Sequence, residues 1–475
     1  MFLDSLKRKK AGLSPEEMSE LLKTTPEALN SFEKSYQDLL ESDDHPEELF
    51  VTNSRQASRD NRKELTGEDG IEDLCGRIVE ELVADTSVYV YDRKIGGQYL
   101  ALITSRPFQP VTREEIKSVP ERQRPQLSGN YYQKDTALEA APLILYHYQK
   151  YLEEKKTEKK EMHYNIFRQG LDIQDLDPIL YEILGTNCNS MGHWLPKLVD
   201  ACRNLDFFKI PSTRVAKVPL PILQLTRLEY SGLTESSKKI VNEWAKRAFS
   251  LDQNAENGYF IKTGTYSSKF DFRNAKVTDP NEINEIGEYL LFIQYQANMM
   301  AGPLSSPSIY GVSTTNEWAV REFIPDREGN PCIYKGLPLR TEYRVFIDCD
   351  TDEVIGVSPY WEPETMKSRF LKGEDKDSPH QVHDYLVYLS HEETLMGRYH
   401  SNVGKVTNEV EKLLPWLDLV GQWSLDIMQD GDDFWLIDMA VAERSAFYNE
   451  SVPEEKRRPT TENWIPKLQD GGKTR

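Results

Sequence analysis

Two carboxylates stand where apolar residues are expected. Residues 423–440 read WSLDIMQDGDDFWLIDMA, two apolar runs around a turn-rich centre, and each run carries one acid, Asp426 and Asp438. A lone carboxylate in an apolar strand is costly unless it is paired or bound to a cation. Magnesium takes one or two carboxylates and completes its shell with water and substrate phosphates, so two acids on adjacent strands suit it. Parity decides whether they cooperate, because side chains alternate faces along a strand. With a two-residue loop at Asp430-Gly431 the acids lie on opposite faces. A three-residue loop over 430–432 brings them to one face as diagonal neighbours, with Gly431 or its neighbours hosting a bulge.

Three upstream segments carry charge that such a pair could work with. In GYFIKTGTYSSKFDF (258–272), Lys262 closes an apolar strand and Lys269 closes a loop containing Gly264, Thr265, Ser267 and Ser268. Small residues let backbone N–H groups approach a phosphate and a lysine adds a compact positive charge. A hairpin with solvated lysines has the same composition, and the segment alone does not separate the two. EWAVREFIPD (317–326) reads as a strand ending in a proline turn. Its end, Glu322, Phe323 and Ile324, could offer backbone groups to the edge of an adenine, or be plain core. In LRTEYRVFID (339–348), Glu342, Arg344 and Phe346 share one face of a strand while Tyr343, Val345 and Ile347 share the other. Glu342 and Arg344 form either a structural ion pair or an arginine fork for phosphate oxygens steadied by the acid.

These residues need strands and loops to hold them, and the chain divides accordingly. Residues 1–62 read as a helical arm and linker: Ser14-Pro15-Glu16-Glu17 is a capping box and Thr25-Pro26-Glu27 a second helix start. A docking or oligomerisation arm suits that stretch better than a nucleic-acid reader, because the chain is acidic. Residues 71–205 read as an N-terminal α/β or helical domain, with a helix over IEDLCGRIVEELV and two strands joined at Ile95-Gly96-Gly97. His193, beside Trp194, lacks a second ligand at helical spacing and reads as a packed side chain. Residues 206–450 alternate strands with helices and carry nearly all the chemical signals, and 451–475 read as a flexible tail. The fold class is α/β in composition, more strictly α+β.

Bulk properties narrow the function. Of 475 residues, 38% are hydrophobic and 29% charged, as in a globular protein with two or three domains. With 58 basic against 78 acidic side chains the net charge is −20, which argues against a general nucleic-acid or membrane-surface binder. No apolar run reaches the ~20 residues that span a bilayer. The five cysteines form no CxxC pair, so free thiols in a reducing cytoplasm are expected rather than a disulfide framework.

Taken in order, the lysine strand, small-residue loop, hinge strand, acid-x-Arg strand and two-acid hairpin resemble the ATP-grasp superfamily. The branch most alike is that of the eukaryotic cell-division-cycle ATP-grasp proteins, whose EFR and LIDFN motifs correspond here to EYR (342–344) and LIDMA (436–440). The resemblance covers roughly residues 206–445. It implies an ATP-grasp fold of two α+β subdomains behind a largely helical N-terminal region. It implies ATP and Mg²⁺ as cofactors, with Lys262 on the phosphates, covered by Ser267, Ser268 and Lys269. Glu322, Phe323 and Ile324 would hold the adenine. Arg344 would meet a γ-phosphate or acyl-phosphate beside Glu342, Asp426 and Asp438 would hold the metal, and Lys335 would be a further phosphate contact. One position departs: Ala440 stands where the family places an asparagine, and Glu443 could substitute for that ligand. The activity implied is ATP-dependent carboxylate–amine ligation through an acyl-phosphate. The alternative is an ATP-binding assembly factor with little catalysis, engaging a protein partner through its N-terminal helices.

Overall fold

The computed structural model describes residues 68–127, 146–166, 181–301, 313–372 and 376–458, apart from isolated positions within them. The two expected helices at 14–40 and the tail from 459 lie outside the described residues. The protein is a mixed α+β structure built around two main sheets.

Helix α1 (Glu68–Ala84) shows how its sequence selects its place. Ile71, Leu74, Cys75, Ile78, Val79, Leu82 and Val83 are all buried, the three-and-four spacing of a single helical stripe. Strands β1 (Ser87–Asp92) and β2 (Gly97–Leu102) follow as the expected hairpin, with Gly96 supplying a φ of +59°. After helix α2 (Met191–Ala201) come β3 (Phe208–Lys209), β4 (Thr213–Lys217), helix α3 (Glu235–Ala248), β5 (Tyr259–Thr263), β6 (Lys276–Val277), helix α4 (Ile286–Met300) and β7 (Glu317–Glu322). Sheet 1 has the order β2-β1-β4-β7-β5-β6 and is antiparallel throughout. It spans the expected division at residue 205, since β1, with β2 on its outer edge, pairs onto β4.

Alternation along these strands gives sheet 1 two different faces. Val88, Val90, Ile261, Trp318 and Val320 bury against α1, α3 and α4 in one core. The Trp318 indole anchors that face by donating to Gln294 Oε1 of α4 at 3.1 Å. The opposite residues, including Val215 and Ala319, join a second core with α2. His193 of α2 is exposed by its surface area yet stacks on Trp423, 6.3 Å between centroids, and partial desolvation lowers its pKa.

Sheet 2 is built from the C-terminal half. After the two-stranded ribbon β8 (Cys332–Ile333) and β9 (Leu337–Pro338) come β10 (Glu342–Asp348), β11 (Glu353–Pro359), helices α5 (Pro363–Leu371) and α6 (Pro379–Leu413), and the hairpin β12 (Gln422–Asp430) and β13 (Asp433–Val441). The order is β11-β10-β12-β13-β3, antiparallel except where β3 runs parallel to β13. Helix α6 starts at a Ser378 cap with Pro379 in its first turn. It lays Tyr399, Val406, Val410 and Leu413 on Tyr343, Val345, Ile347 and Leu425. The expected parity of β10 holds: its apolar set faces α6 and leaves Glu342 and Arg344 on the face toward sheet 1.

Two helical glycines separate packing from propensity. A Cβ on Gly287 of α4 would stand 2.6 Å from the Val241 carbonyl oxygen of α3, backbone that cannot move aside. A Cβ on Gly404, exposed on α6, meets nothing within 4 Å. Gly287→Ala is therefore expected to destabilise by about 1–3 kcal/mol, while Gly404→Ala stabilises by roughly 0.5–1 kcal/mol. Melting temperatures of the two variants should move in opposite directions; a shared direction refutes the packing argument.

Candidate functional site

The site lies where the inner faces of the two sheets meet. On β5, Tyr259 and Ile261 bury against the helices, so Phe260 and Lys262 turn toward sheet 2. Lys262 is only 2% exposed, and its Nζ donates to both carboxylate oxygens of Asp438 at 3.0 Å. On sheet 2, Arg344 stands directly across from Asp426. Its Nε and Nη2 donate to Asp426 Oδ1 and Oδ2 at 2.8 and 2.7 Å, a bidentate fork. The guanidinium also lies 4.7 Å from the Tyr360 ring centre.

A bulge brings the two acids together. The hairpin turn is Gly431-Asp432, flanked by the pair Asp430 and Asp433, with Gly431 at φ +64°. From there the register places Ile427 opposite Leu436. Unbroken, it would set Asp426 opposite Ile437 and turn Asp438 to the far face. Ile437 is instead the extra residue of a bulge, and Asp426 faces Asp438 directly. The loop is thus neither Asp430-Gly431 nor the three residues 430–432; the acids are brought to one face by a bulge, placed at Ile437 rather than at Gly431 or its neighbours. The cause comes from outside the hairpin: Arg321 Nη1, from β7 of sheet 1, donates to the Ile437 carbonyl.

Glu342 and Lys269 occupy the middle of the cleft. Burial pushes the Glu342 carboxyl up and the Lys269 amine down, and the opposite charge of each restrains the other. Lys269 Nζ sits 4.2 Å from the Tyr360 ring centre. Arg321 is 4% exposed; burial lowers its pKa to about 10, against the pull of Asp438, so it is charged at neutral pH.

The space around these groups forms two chambers that share Ser267, Lys269, Tyr360, Trp361, Asp426 and Asp438. The first encloses about 880 Å³, counting space open to solvent. Its lining mixes apolar side chains, Phe260, Phe272, Phe323, Leu337 and Met428, with the cations Lys262, Lys269, Arg321 and Arg340, and Phe260 stands directly across from Arg321. The second, about 1310 Å³ counted the same way, has Lys269, Arg344, Arg369 and Arg444 against the two aspartates.

The residues singled out in the sequence divide three ways. Lys262, Ser267, Lys269, Glu322, Phe323, Ile324, Glu342, Asp426 and Asp438 line the first chamber, and Arg344 the second. In the 322–324 run, backbone groups are already engaged: the Glu322 and Phe323 amides donate to Ser212 O and Gly258 O, and Ile324 O accepts from Arg340. Three backbone groups of the run are thus taken, and the side chains of Phe323 and Ile324 line the chamber. Ser268 is buried and lies behind the wall. Lys335 does not line either chamber; it sits in a left-handed turn at φ +61° and pairs with Asp271 at 3.0 Å. Glu443 also lies outside the chamber walls, close enough to Tyr448 to raise its pKa along with burial, whereas Arg444 lines the second chamber. Ala440, paired with Ser424, sits in that chamber wall. Among the described residues no group of three or more His, Cys, Asp and Glu side chains gathers as a metal site. Sequence reasoning missed Arg321, Arg340, Tyr360 and Trp361. Only Arg321 carried a signal, a charge inside the apolar run WAVRE.

No family model and no curated protein matches this sequence. Two solved structures of Cdc123 from Schizosaccharomyces pombe match 59% of this chain and 95% of theirs. The C-terminally truncated form is 14% identical with a TM-score of 0.33, and the other form 15% identical with a TM-score of 0.32. At such values the likeness carries no argument about function.

Proposed function

We propose that this protein binds ATP, with magnesium, in the cleft between its two sheets, in the manner of an ATP-grasp protein. The observation behind the reading is the mixed lining of the first chamber, which brings the aromatic and apolar side chains of Phe260, Phe272, Phe323 and Ile324 together with Lys262, Lys269 and Arg321 and two carboxylates. A purine base fits the aromatic and apolar groups and a polyphosphate the cations. Phe323, Phe272 and Ile324 would flank the base, and Lys262 and Lys269 would take phosphate oxygens.

The carboxylates suit a metal that arrives with phosphate, not one that binds alone. Asp426 gives both oxygens to Arg344, and Asp438 gives both to Lys262. Asp438 Oδ1 also accepts from the Met439 amide at 3.1 Å, so Asp438 Oδ2 keeps a lone pair, as do both Asp426 oxygens, and the Asp438 side chain is 40% exposed. A phosphate that draws Lys262 to itself frees Asp438. Asp426 and Asp438 would then hold magnesium, which would supply positive charge to offset that of the phosphates.

A second reading, a carboxylate–amine ligase, draws on the second chamber. A carboxylate lying against Arg369 and Arg444 would approach the shared aspartates, where the terminal phosphate would end. One of its oxygens would bond to the γ-phosphorus as the bond to the β–γ bridging oxygen breaks, leaving an acyl-phosphate and ADP. An amine would then displace phosphate, losing its proton to solvent. Against strong catalysis stand Ala440 in place of a metal ligand and the full engagement of Arg344 by Asp426. Binding of ATP by an assembly factor needs neither.

Calorimetry with ATP is expected to show binding strengthened by Mg²⁺ in the wild type, and Asp438→Asn should lose that increment. Wild-type protein that binds no ATP refutes the reading. ADP formation that rises with added carboxylates would select the ligase; ATP binding without turnover selects the binder. In nucleotide-free protein, Lys262→Met is expected to bind Mn²⁺ more tightly than wild type by electron paramagnetic resonance, because Asp438 loses its masking cation. Equal affinity would mean that Lys262 masks nothing. The pH profile follows from Lys269, which holds a phosphate only when charged. Affinity should be full below its pKa and fall as pH rises through it, and burial puts that fall below the ordinary lysine value of about 10.4. Glu342→Gln removes the supporting charge, so the fall should begin at lower pH; an unmoved profile would exclude Lys269 from phosphate binding.

A further inference from the structure

The Arg321 guanidinium is almost wholly enclosed, and its three nitrogens have unequal company. Nε donates to Thr213 Oγ1 at 3.2 Å, Nη1 donates to the Ile437 carbonyl, and Nη2 is buried with no hydrogen-bond partner. Guanidinium N–H groups are strong donors, and leaving one buried and unpaired costs more than a neutral group would. Thr213 and Arg321 are cross-strand neighbours on β4 and β7, so the fork is steered by Thr213 on one side and the bulge on the other. Arg321 lines the first chamber with Lys262 and Asp438. Lys262 pairs with Ala319 on β7, two residues from Arg321 on the same face, so the two cations stand side by side on sheet 1. They grip adjacent residues of β13: Lys262 takes the Asp438 carboxylate and Arg321 takes the Ile437 carbonyl.

The geometry points to Arg321 as an anion-binding residue whose idle Nη2 donates to a phosphate oxygen of the bound nucleotide while Nη1 holds the bulge that aims Asp438. This deepens the ATP-binding reading and rests on it. The ligand chemistry is that of a polyphosphate, and tripolyphosphate shares it without the base. A fork suits the double task, since its rigid plane serves a fixed carbonyl and a ligand together. A lysine has one nitrogen and cannot span both positions.

The test is calorimetry on the full chain, wild type, Arg321→Lys and Arg321→Met, with ATP, adenosine and tripolyphosphate, each with Mg²⁺ and in chelator. Thermal unfolding identifies variants that fold. If Arg321 touches phosphate, both variants lose at least about tenfold in affinity for ATP and tripolyphosphate in chelator, with adenosine affinity unchanged. Added guanidinium at millimolar concentration should restore part of the loss in Arg321→Met and none in Arg321→Lys. A loss confined to the magnesium condition means that Arg321 acts only by aiming Asp438, and overturns phosphate contact. ATP affinity equal to wild type in both variants overturns it also and leaves the ATP reading intact. A variant that unfolds is judged by its partner, and if both unfold, tripolyphosphate stabilisation of the wild type decides: none overturns the assignment. Wild-type protein that binds neither ATP nor tripolyphosphate overturns both readings together.

Discussion

Two carboxylates facing each other across a buried hairpin must be neutralised, and much of the inner architecture answers that demand. Arg344 takes Asp426 from the neighbouring strand of the same sheet, and Lys262 takes Asp438 from the other sheet. The two solutions differ in kind. Arg344 and Asp426 are both enclosed, with side chains 13% and 10% exposed. Removing one partner there costs on the order of 3–5 kcal/mol, chiefly because the other charge is stranded. Lys262 is enclosed but Asp438 opens to the cleft, so solvent and ligands have access to one side of that pair. The first pair is framework. The second is the contact that a ligand could rearrange.

The bulge follows from the same demand. Side chains alternate strictly along a strand, so a regular hairpin with its turn at Gly431-Asp432 would separate the acids onto opposite faces. One inserted residue corrects the parity, and its unpaired carbonyl needs a donor. Arg321 supplies it from sheet 1. Sheet 1 therefore shapes sheet 2 at two consecutive residues, once through a side chain and once through backbone. The position of Asp438 is a property of the packed pair of sheets rather than of the hairpin that carries it.

That dependence sets what the sequence could reveal. The alternation in LRTEYRVFID placed Glu342 and Arg344 on one face because both faces of β10 have a definite composition. The hairpin at Ile95-Gly96-Gly97 and the stripe of α1 were legible for the same reason: local pattern and burial agree. The acids were recognisable as a pair, but not the means of pairing, since the bulge answers to a residue more than a hundred positions away. Lys335 was misjudged because a left-handed turn carries it off toward Asp271, and the turn is set by Tyr334, Lys335 and Gly336 together. Three backbone groups of the 322–324 run are held by Ser212, Gly258 and Arg340, partners that lie far off in sequence and leave no local pattern. Tyr360 and Trp361 left no trace at all, because an aromatic wall and a core aromatic have the same local pattern.

Charge on two length scales governs what enters the cleft. The chain carries a net −20, so an anion approaching from afar meets repulsion. At physiological salt that field fades over about 8 Å, whereas the cations in the cleft act at contact distance from buried positions where screening is weak. Lys262, Lys269, Arg321 and Arg344 converge on three acids, Glu342, Asp426 and Asp438. Burial pushes Glu342 up and Lys269 down, and the charge of each restrains the other, so this pair stays close to neutral in sum. A site of this kind is selective by geometry rather than by long-range steering: it rewards an anion that can reach several fixed donors at once and has apolar surface for the aromatic lining. A nucleotide polyphosphate has that shape. The second chamber extends the cationic surface with Arg369 and Arg444, while Ala440 in its wall offers no polar group beside Asp438.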